Sequence, residues 1–287
     1  MENTDPLNDR NVALAWAELQ AHASVGQPLE ADAYRLAFAD PEFLLRRETR
    51  GIRFQLEMLK PDLEQQALGI EDTVVVFGSA RFPAPEDAER ELAAAKAGSD
   101  AAALQVAERR MRNAQFYDQA RLFARLVANY SADRAATERL YICTGGGPGI
   151  MEAANRGAHE MGALTVGLSI ALPHEQSGNR YVSPSLNFKF HYFALRKMHF
   201  MMRAKALVAF PGGFGTLDEL FEVVTLVQTG KTRAVPIILY GSSYWKNLLN
   251  FDVLIEEGAI SPGDLKLFNY VDTPQEAWNA IKAFYQL

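Results

Sequence analysis

Short apolar runs alternate with longer amphipathic stretches along most of the chain after residue 72. The first run, Thr73 to Phe77, is β-branched and apolar throughout and predicts a buried strand followed by a turn at Gly78-Ser79-Ala80. Further apolar runs predict strands at 140–143, 164–168, 186–190, 206–210 and 235–240, and the pattern is compatible with a short strand at 270–272. Helical spacing predicts helices at 150–158, 192–203, 217–228, 244–258 and 274–285. Such alternation predicts an α/β fold with a doubly wound, Rossmann-like, mostly parallel sheet that carries helices on both faces.

Two segments fall outside this alternation. Residues 11–68 have helical spacing interrupted by prolines, and predict an N-terminal helical extension over 1–70, before a Rossmann-like nucleotide-binding catalytic domain over 71–287. The stretch from about 86 to 130 is rich in Ala, Glu and Arg and predicts one or two helices with a break near 98–100. Because it is longer than a simple crossover helix, we interpret it as a helical insert.

Composition narrows the class of partner. The formal net charge of -6 argues against a general nucleic-acid-binding protein, which needs a basic excess to neutralise phosphates, so a bound anion must be met by a local site. The acidic, polar start at Met1 to Pro6 does not resemble a secretory signal, and the apolar runs are too short to span a bilayer. We therefore expect a cytoplasmic protein without a membrane partner. The single cysteine, Cys143, lies in an apolar run and is expected to be buried in a strand.

The same glycine pattern follows two of the predicted strands. Gly146-Gly147-Pro148-Gly149 follows the strand at 140–143, and Gly212-Gly213-Phe214-Gly215 follows the strand at 206–210. Glycine lets the backbone approach a ligand closely, and the helix that follows presents free N–H groups to an anion, so both loops predict a phosphate site. Neither loop is a dinucleotide fingerprint, because Ile150 and Asp218 stand at the required third glycine. Gly230-Lys231-Thr232 resembles the end of a P-loop, but Thr225 stands at its first glycine, which disfavours an ATPase.

Two pairs of polar residues near the second loop have both structural and functional interpretations. Thr216 and Glu219 have the spacing of a capping box, but a carboxylate beside a phosphate site also suggests a chemical task. Arg196 and Lys197 could form a solvated pair, yet their helix at 192–203 is apolar nearly all round and is expected to be largely buried. Buried charges need partners, and either a phosphate or Glu219 could supply one.

The run from Pro211 to Glu219, Arg196-Lys197 and the segment from Thr144 to Ala158 together resemble the LONELY GUY family in order and spacing. The resemblance covers roughly residues 73–240 and implies a phosphoribohydrolase that releases free bases from nucleoside 5′-monophosphates, AMP and cytokinin ribotides among them. It implies Arg196 and Glu219 as the catalytic pair. The other implied substrate-binding residues are Ser79, Gly146, Gly147, Gly149, Glu175, Lys197, Gly212, Gly213, Gly215, Thr216 and Thr225, of which Ser79 and Glu175 are looser matches.

The resemblance also bears on partners. It implies a homo-oligomer, at least a dimer, with neither a metal nor a cofactor. The N-terminal extension and the stretch from 86 to 130 depart from the short plant members and resemble a longer bacterial subtype, which leaves the preferred base and the oligomeric state open.

The implied chemistry suits these residue types. Cleavage of a ribosyl C–N bond builds positive charge on the sugar, and the carboxylate of Glu219 could stabilise that charge and orient or activate water. Arg196 stays protonated, so it is better suited to donate hydrogen bonds to the base or the phosphate than to donate a proton. The alternatives are a non-enzymatic nucleotide or molybdenum-cofactor carrier with a related glycine loop, and a pyridoxal phosphate decarboxylase. The sequence offers no recognisable lysine setting for the second of these.

Overall fold

The computed structural model describes residues 35–171 and 178–287. The chain divides into two compact units, Met1–Glu57 and Met58–Leu287. In the described part of the first unit, a 3-10 turn at Ala37–Ala39 precedes helix α1, Pro41–Leu44, whose first turn is capped by the Asp40 carboxylate. Helix α2, Arg50–Ala67, begins in this unit. The predicted domain division at residue 70 stays a prediction, because residues 1–34 lie outside the described part.

Seven strands within the described ranges form one sheet in the order β4-β3-β2-β1-β5-β6-β7, and all adjacent strands are parallel. The strands are β1 (Asp72–Phe77), β2 (Leu140–Thr144), β3 (Thr165–Ile170), β4 (Asn187–Phe190), β5 (Ala204–Ala209), β6 (Ile237–Tyr240) and β7 (Phe268–Val271). This order confirms the predicted doubly wound fold. The chain builds one half of the sheet outward from β1 to β4 and then returns to the other side of β1 through β5.

Helices cover both faces of the sheet. They are α3 (Pro85–Ala97), α4 (Ala101–Ala132), α5 (Ile150–Glu160), α6 (Phe193–Met202), α7 (Phe214–Gln228), α8 (Ser242–Leu248), α9 (Phe251–Glu256) and α10 (Pro274–Tyr285). Successive side chains of a strand point to opposite faces, and β1 accordingly feeds two apolar clusters. Val74 and Val76 pack with residues of α4, α5 and α10, whereas Val75 and Phe77 pack with residues of α6, α7 and α8. Cys143 is buried in the second cluster, as predicted.

The stretch from 86 to 130 forms two helices, α3 and α4, with the break where it was predicted. Asp100 caps α4, because its carboxylate accepts hydrogen bonds from the N–H groups of Ala102 and Ala103 at 2.8 and 3.2 Å. Helix α4 lies very close to α5 at Gly157, where a Cβ atom would lie 2.1 Å from the Arg121 carbonyl oxygen. The predicted helix at 244–258 is instead divided into α8 and α9.

The prediction that the helix at 192–203 is largely buried is wrong. Only His199 and Phe200 of α6 are buried, while Phe193, Met198 and Met202 are well exposed. The reason is that α6 packs against β3 and β4, while Phe193, Met198 and Met202 lie away from this contact and stay exposed. Apolar residues on all sides of a helix are therefore not enough to predict that the helix is buried within a single chain.

Candidate functional site

The strand order reverses at β1, which has β2 on one side and β5 on the other. In open α/β sheets, ligands bind at such a switch point, beyond the carboxyl ends of the strands. Three loops meet there: residues 78–80 after β1, residues 145–149 after β2 and residues 210–213 after β5. Both glycine loops predicted from the sequence thus flank the loop that follows β1.

Direct hydrogen bonds hold these loops together. The Ser79 N–H donates to the Pro211 carbonyl at 3.0 Å, and the Ile150 N–H donates to the Ser79 carbonyl at 3.1 Å. The loops approach so closely that two glycines are required for packing. A Cβ atom on Gly149, whose φ is +70°, would lie 2.4 Å from the Ser79 carbonyl oxygen, and one on Gly212 would lie 2.2 Å from Thr216 Oγ1. Contacts within the protein are thus enough to require glycine at both positions, apart from any ligand.

A cavity of about 510 Å³ opens at the switch point, between the loop after β1 and the start of α7. Six of the predicted site residues line it: Ser79, Arg196, Gly213, Gly215, Thr216 and Glu219. The predicted catalytic pair, from two different helices, therefore faces the same space. We refer to this space as the Glu219 cavity.

Arg196 is held by contacts from several elements. Its Nε donates to the Leu168 carbonyl at the end of β3, at 2.8 Å, and its guanidinium lies 5.8 and 5.3 Å from the ring centroids of Phe193 and Phe200. Gly145 leaves room for the same group, because a Cβ atom there would lie 2.8 Å from Arg196 Nη2. These contacts fix the position of a permanent positive charge at the wall of the cavity.

Glu219 reaches the cavity because α7 begins earlier than the sequence suggested. Helix α7 begins at Phe214 with Gly213 at the N-cap and no side-chain capping bond, so the capping-box interpretation of Thr216 and Glu219 is wrong. Glu219 instead is the sixth residue of the helix and is only 6% exposed. Burial raises the pKa of this carboxyl group to about 7, while the positive charges of Arg196 and Lys197 act in the opposite direction.

Lys197 and Thr225, two of the predicted substrate-binding residues, do not line the Glu219 cavity. They line a neighbouring cavity of about 530 Å³ on the outer side of α7. The Lys197 ammonium group forms ion pairs with Asp218 at 2.7 Å and Glu222 at 2.8 Å, and the Thr225 hydroxyl donates to the Phe221 carbonyl at 2.7 Å. Asp218, the partner of Lys197, lines both this cavity and the Glu219 cavity.

Two glycines of the first glycine loop lie outside the lining of the Glu219 cavity. Gly146 and Gly147 line a third cavity, beyond the carboxyl ends of β3 and β4. The Gly146 N–H already donates to Thr144 Oγ1 at 3.0 Å, which removes it from a phosphate cradle in this conformation. The remaining predicted residue, Glu175, lies outside the described residues.

Several residues of the Glu219 cavity were not among the predicted site residues. They are Phe77, Gly78, Ala80, Arg81, Met151, Phe193, Phe214 and Asp218, with Gly145 behind Arg196. Spacing offered a signal for two of them: Arg81 is two residues after Ser79 in the same turn, and Phe193 is three before Arg196 on the same helix. Phe214 is 90% exposed at the rim of the cavity.

None of the helices in residues 35–171 and 178–287 is long and apolar enough to cross a membrane. No group of His, Cys, Asp and Glu side chains in the same ranges could hold a metal ion.

Comparison with solved structures identifies two similar chains. One is the X-ray structure of the structural-genomics target TM1055, at 20% identity and a TM-score of 0.45, covering 75% of this chain and 99% of that one. The other is the Moco carrier protein of Chlamydomonas reinhardtii, at 18% identity and a TM-score of 0.45, covering 76% of this chain and 99% of that one.

Sequence comparison finds similar proteins over the part of the chain that holds the site. The family model described as possible lysine decarboxylase matches residues 151–281, which include Arg196 and Glu219. Cytokinin riboside 5′-monophosphate phosphoribohydrolase LOG7 of Arabidopsis thaliana is 34% identical over 121 residues, covering 41% of this chain and 54% of the relative. The probable phosphoribohydrolase LOG4 of Oryza sativa subsp. japonica is 32% identical over 135 residues, covering 46% and 57%. The chain thus spans little more than half the length of these relatives. These matches support the resemblance of the chain to the LONELY GUY family.

Proposed function

We propose that the protein is a phosphoribohydrolase that cleaves the N-glycosidic bond of nucleoside 5′-monophosphates to a free base and ribose 5-phosphate. The observation that carries the proposal is the convergence of Arg196 and Glu219 on one cavity at the sheet's switch point. Two named relatives of this chain are phosphoribohydrolases of cytokinin riboside 5′-monophosphates. AMP and cytokinin riboside 5′-monophosphates are therefore the substrates we propose.

The phosphate would bind at the start of α7. The first N–H groups of a helix lack partners within the helix and carry the positive end of its dipole. Gly213, Gly215 and Thr216 bring this end of α7 to the cavity, and Ser79 adds a hydroxyl from the opposite loop. An adjacent positive charge from Arg81 favours the same anion.

The ribose would then lie between the phosphate site and Glu219. In the proposed reaction, the C1′–N bond breaks with its electron pair passing to the base, and a water oxygen forms the new bond to C1′. Glu219 orients the water, accepts one of its protons and then releases that proton to solvent. The departing base takes up one proton from solvent, so that nucleotide and water give free base and ribose 5-phosphate. A carboxyl pKa of about 7 is well matched to a general base near neutral pH.

Arg196 would act as a donor of hydrogen bonds. Its Nε donates to the Leu168 carbonyl, and in the proposed complex its terminal N–H groups donate to the leaving base or the phosphate. Because arginine remains charged at any accessible pH, it stabilises developing negative charge without giving up its proton. The exposed rings of Phe193 and Phe214 offer apolar surface for the base at the same rim.

Chromatography of an AMP digest tests the proposal. Free adenine and ribose 5-phosphate should appear in equal amounts, and adenosine should react poorly because it lacks the phosphate. Glu219→Gln should abolish release of adenine while AMP still binds, whereas Glu256→Gln, the same exchange at an exposed site on α9, should behave as wild type. If AMP, CMP, GMP and isopentenyladenosine monophosphate all bind and stay intact, the protein is a nucleotide carrier and not this enzyme.

We also propose that the chain forms a homo-oligomer through the exposed face of α6. Met198 and Met202, one helical turn apart, are the exposed apolar residues of this face. Apolar side chains exposed together on one helix are typical of a protein interface. Light scattering should give a dimer or larger assembly, and the Met198→Glu/Met202→Glu variant should shift it toward the monomer. A monomeric wild type would contradict this.

A further inference from the structure

The third cavity, beside Gly146 and Gly147, has a chemistry that the proposed hydrolysis does not use. It has a volume of about 510 Å³ and lies beyond the carboxyl ends of β3 and β4. None of the described residues that line it also lines the Glu219 cavity. A space of this size accommodates a small organic ligand, so the cavity is a candidate for a separate binding site.

Its wall is built by the pairing of two parallel strands. Ser169 of β3 lies opposite Lys189 of β4, and Gly167 lies opposite Asn187. The side chains that alternate with these residues, such as Leu168 and Phe188, are buried in the apolar cluster on the other face of the sheet. A hydroxyl, an amide and an ammonium group are therefore presented together on one face of the β3–β4 pair.

The loop that closes the cavity is fixed to the first glycine loop. Asn179 donates its backbone N–H to the Gly146 carbonyl at 2.7 Å, and its side-chain Nδ2 donates to the Gly147 carbonyl at 3.0 Å. Its Oδ1 accepts from the Tyr181 N–H at 3.1 Å. These bonds hold the adjacent Arg180 at the cavity. Gly146 has a φ of +69°, and a Cβ atom on it would lie 2.6 Å from Ser169 Oγ. The absence of a side chain at Gly146 therefore keeps the space beside Ser169 open.

The charges and hydrogen-bonding groups indicate an anion. Arg180 and Lys189 are the charged residues among the described lining, and both are cations. Ser169 Oγ is buried and has no hydrogen-bond partner among the described residues, so a donor is available at the floor. A buried polar group without a partner is unfavourable, which a bound acceptor would correct. Two positive charges match the charge of a phosphate monoester, and Ile170, Val182 and Pro184 supply apolar surface for its organic part.

We propose that this cavity is a second binding site, separate from the Glu219 cavity, for a small organic phosphate held by Ser169, Arg180 and Lys189. Arg180 contributes N–H groups beyond the one that it donates to the Tyr181 hydroxyl at 2.8 Å. Lys189 contributes an ammonium group from the outermost strand of the sheet. Gly146 and Gly147 then serve this second site and not the hydrolytic one.

Equilibrium dialysis of the full chain with radiolabelled ribose 5-phosphate tests the proposal. The Arg180→Met/Lys189→Met variant should bind one molecule fewer per chain than wild type. The matched control, Lys96→Met/Arg109→Met, removes the same charge from exposed positions on α3 and α4 and should bind as wild type does. Equal binding by wild type and the Arg180→Met/Lys189→Met variant overturns the proposal, whether wild type binds one molecule or none.

Removing one hydroxyl oxygen from the site tests the same binding without changing its charge. Ser169→Ala should weaken the same binding by up to about tenfold, the usual value of one hydrogen bond. If circular dichroism shows that the double variant is unfolded, Ser169→Ala decides alone, and unchanged affinity overturns the proposal. Hydrolysis of AMP is measured independently, so failure of this site and failure of the proposed reaction give different results.

Discussion

A Cβ atom on Gly145 would lie 2.8 Å from Nη2 of Arg196, so the absence of a side chain at Gly145 creates the space that the guanidinium occupies. The same Cβ would lie 2.9 Å from the sulfur of Met151, which closes the space from the other side. Together with the hydrogen bond to the Leu168 carbonyl, this gives Arg196 one well-defined position. Gly145 is therefore a positioning residue in the proposed mechanism, although it does not line the Glu219 cavity.

We expect Gly145→Ala to displace Arg196 and to lower kcat for AMP by about 10- to 100-fold, because small displacements of a catalytic group have effects of that size. The fold should be kept, since the guanidinium can move. Steady-state kinetics give the measurement, and Gly98→Ala is the control, because its Cβ would make only an ordinary contact of 3.5 Å. Wild-type kcat in Gly145→Ala would show that the position of Arg196 does not matter for turnover.

The pH dependence of the reaction follows from the state of Glu219. The proposed role needs the ionised carboxylate, and burial raises the pKa of this group to about 7. kcat/KM for AMP should therefore rise with pH through about 7 and level off above it. A pH series for the wild-type enzyme gives the measurement. An activity that is already constant from pH 5 upward would contradict the assignment of Glu219 as the base.

The same carboxyl group should make stability depend on pH. Because its folded-state pKa is raised, the native protein binds this proton more tightly than the unfolded chain, and the resulting stabilisation is lost as pH rises through about 7. In the Glu219→Gln variant the side chain does not titrate, so its contribution to stability does not change with pH. We expect the variant's free energy of unfolding to exceed that of wild type increasingly between pH 5 and 8, by up to about 3 kcal/mol. Urea denaturation at several pH values measures this, and a difference that does not change with pH would contradict it.

The sheet was predictable from local patterns, because each buried strand is a short apolar run that needs no distant information. Val74 to Phe77 is apolar at every position, since its two faces feed two separate clusters. The start of α7 was harder to predict from the sequence. Gly213-Phe214-Gly215 is a poor helix-forming sequence, so the predicted helix began at Leu217 and Thr216 fell at an apparent cap.

The site required tertiary information that spacing does not contain. The carbonyl that holds Arg196 belongs to Leu168, 28 residues away on β3, and nothing in the local sequence marks it. The two glycine loops look alike in sequence, yet Gly146 and Gly147 line one cavity and Gly213 and Gly215 line another, after strands on opposite sides of β1. Lys197 follows Arg196 directly, yet on a helix adjacent residues do not face the same way, and it pairs with Asp218 and Glu222 instead.

Gly215 allows the ligand site to be separated from protein stability. It is the second residue of α7, and a Cβ atom there would meet no atom within 4 Å. In the free protein, Gly215→Ala should therefore raise the free energy of unfolding by up to about 1 kcal/mol, because alanine is the better helix former. The open space at this position is the cavity itself, so the added methyl group should crowd a phosphate over the first turn of α7 and raise KM for AMP. Gly51→Ala, another helical glycine whose Cβ would meet no atom within 4 Å, should give a similar gain in stability with unchanged kinetics. A Gly215→Ala variant with wild-type KM would mean that the phosphate does not bind at the start of α7.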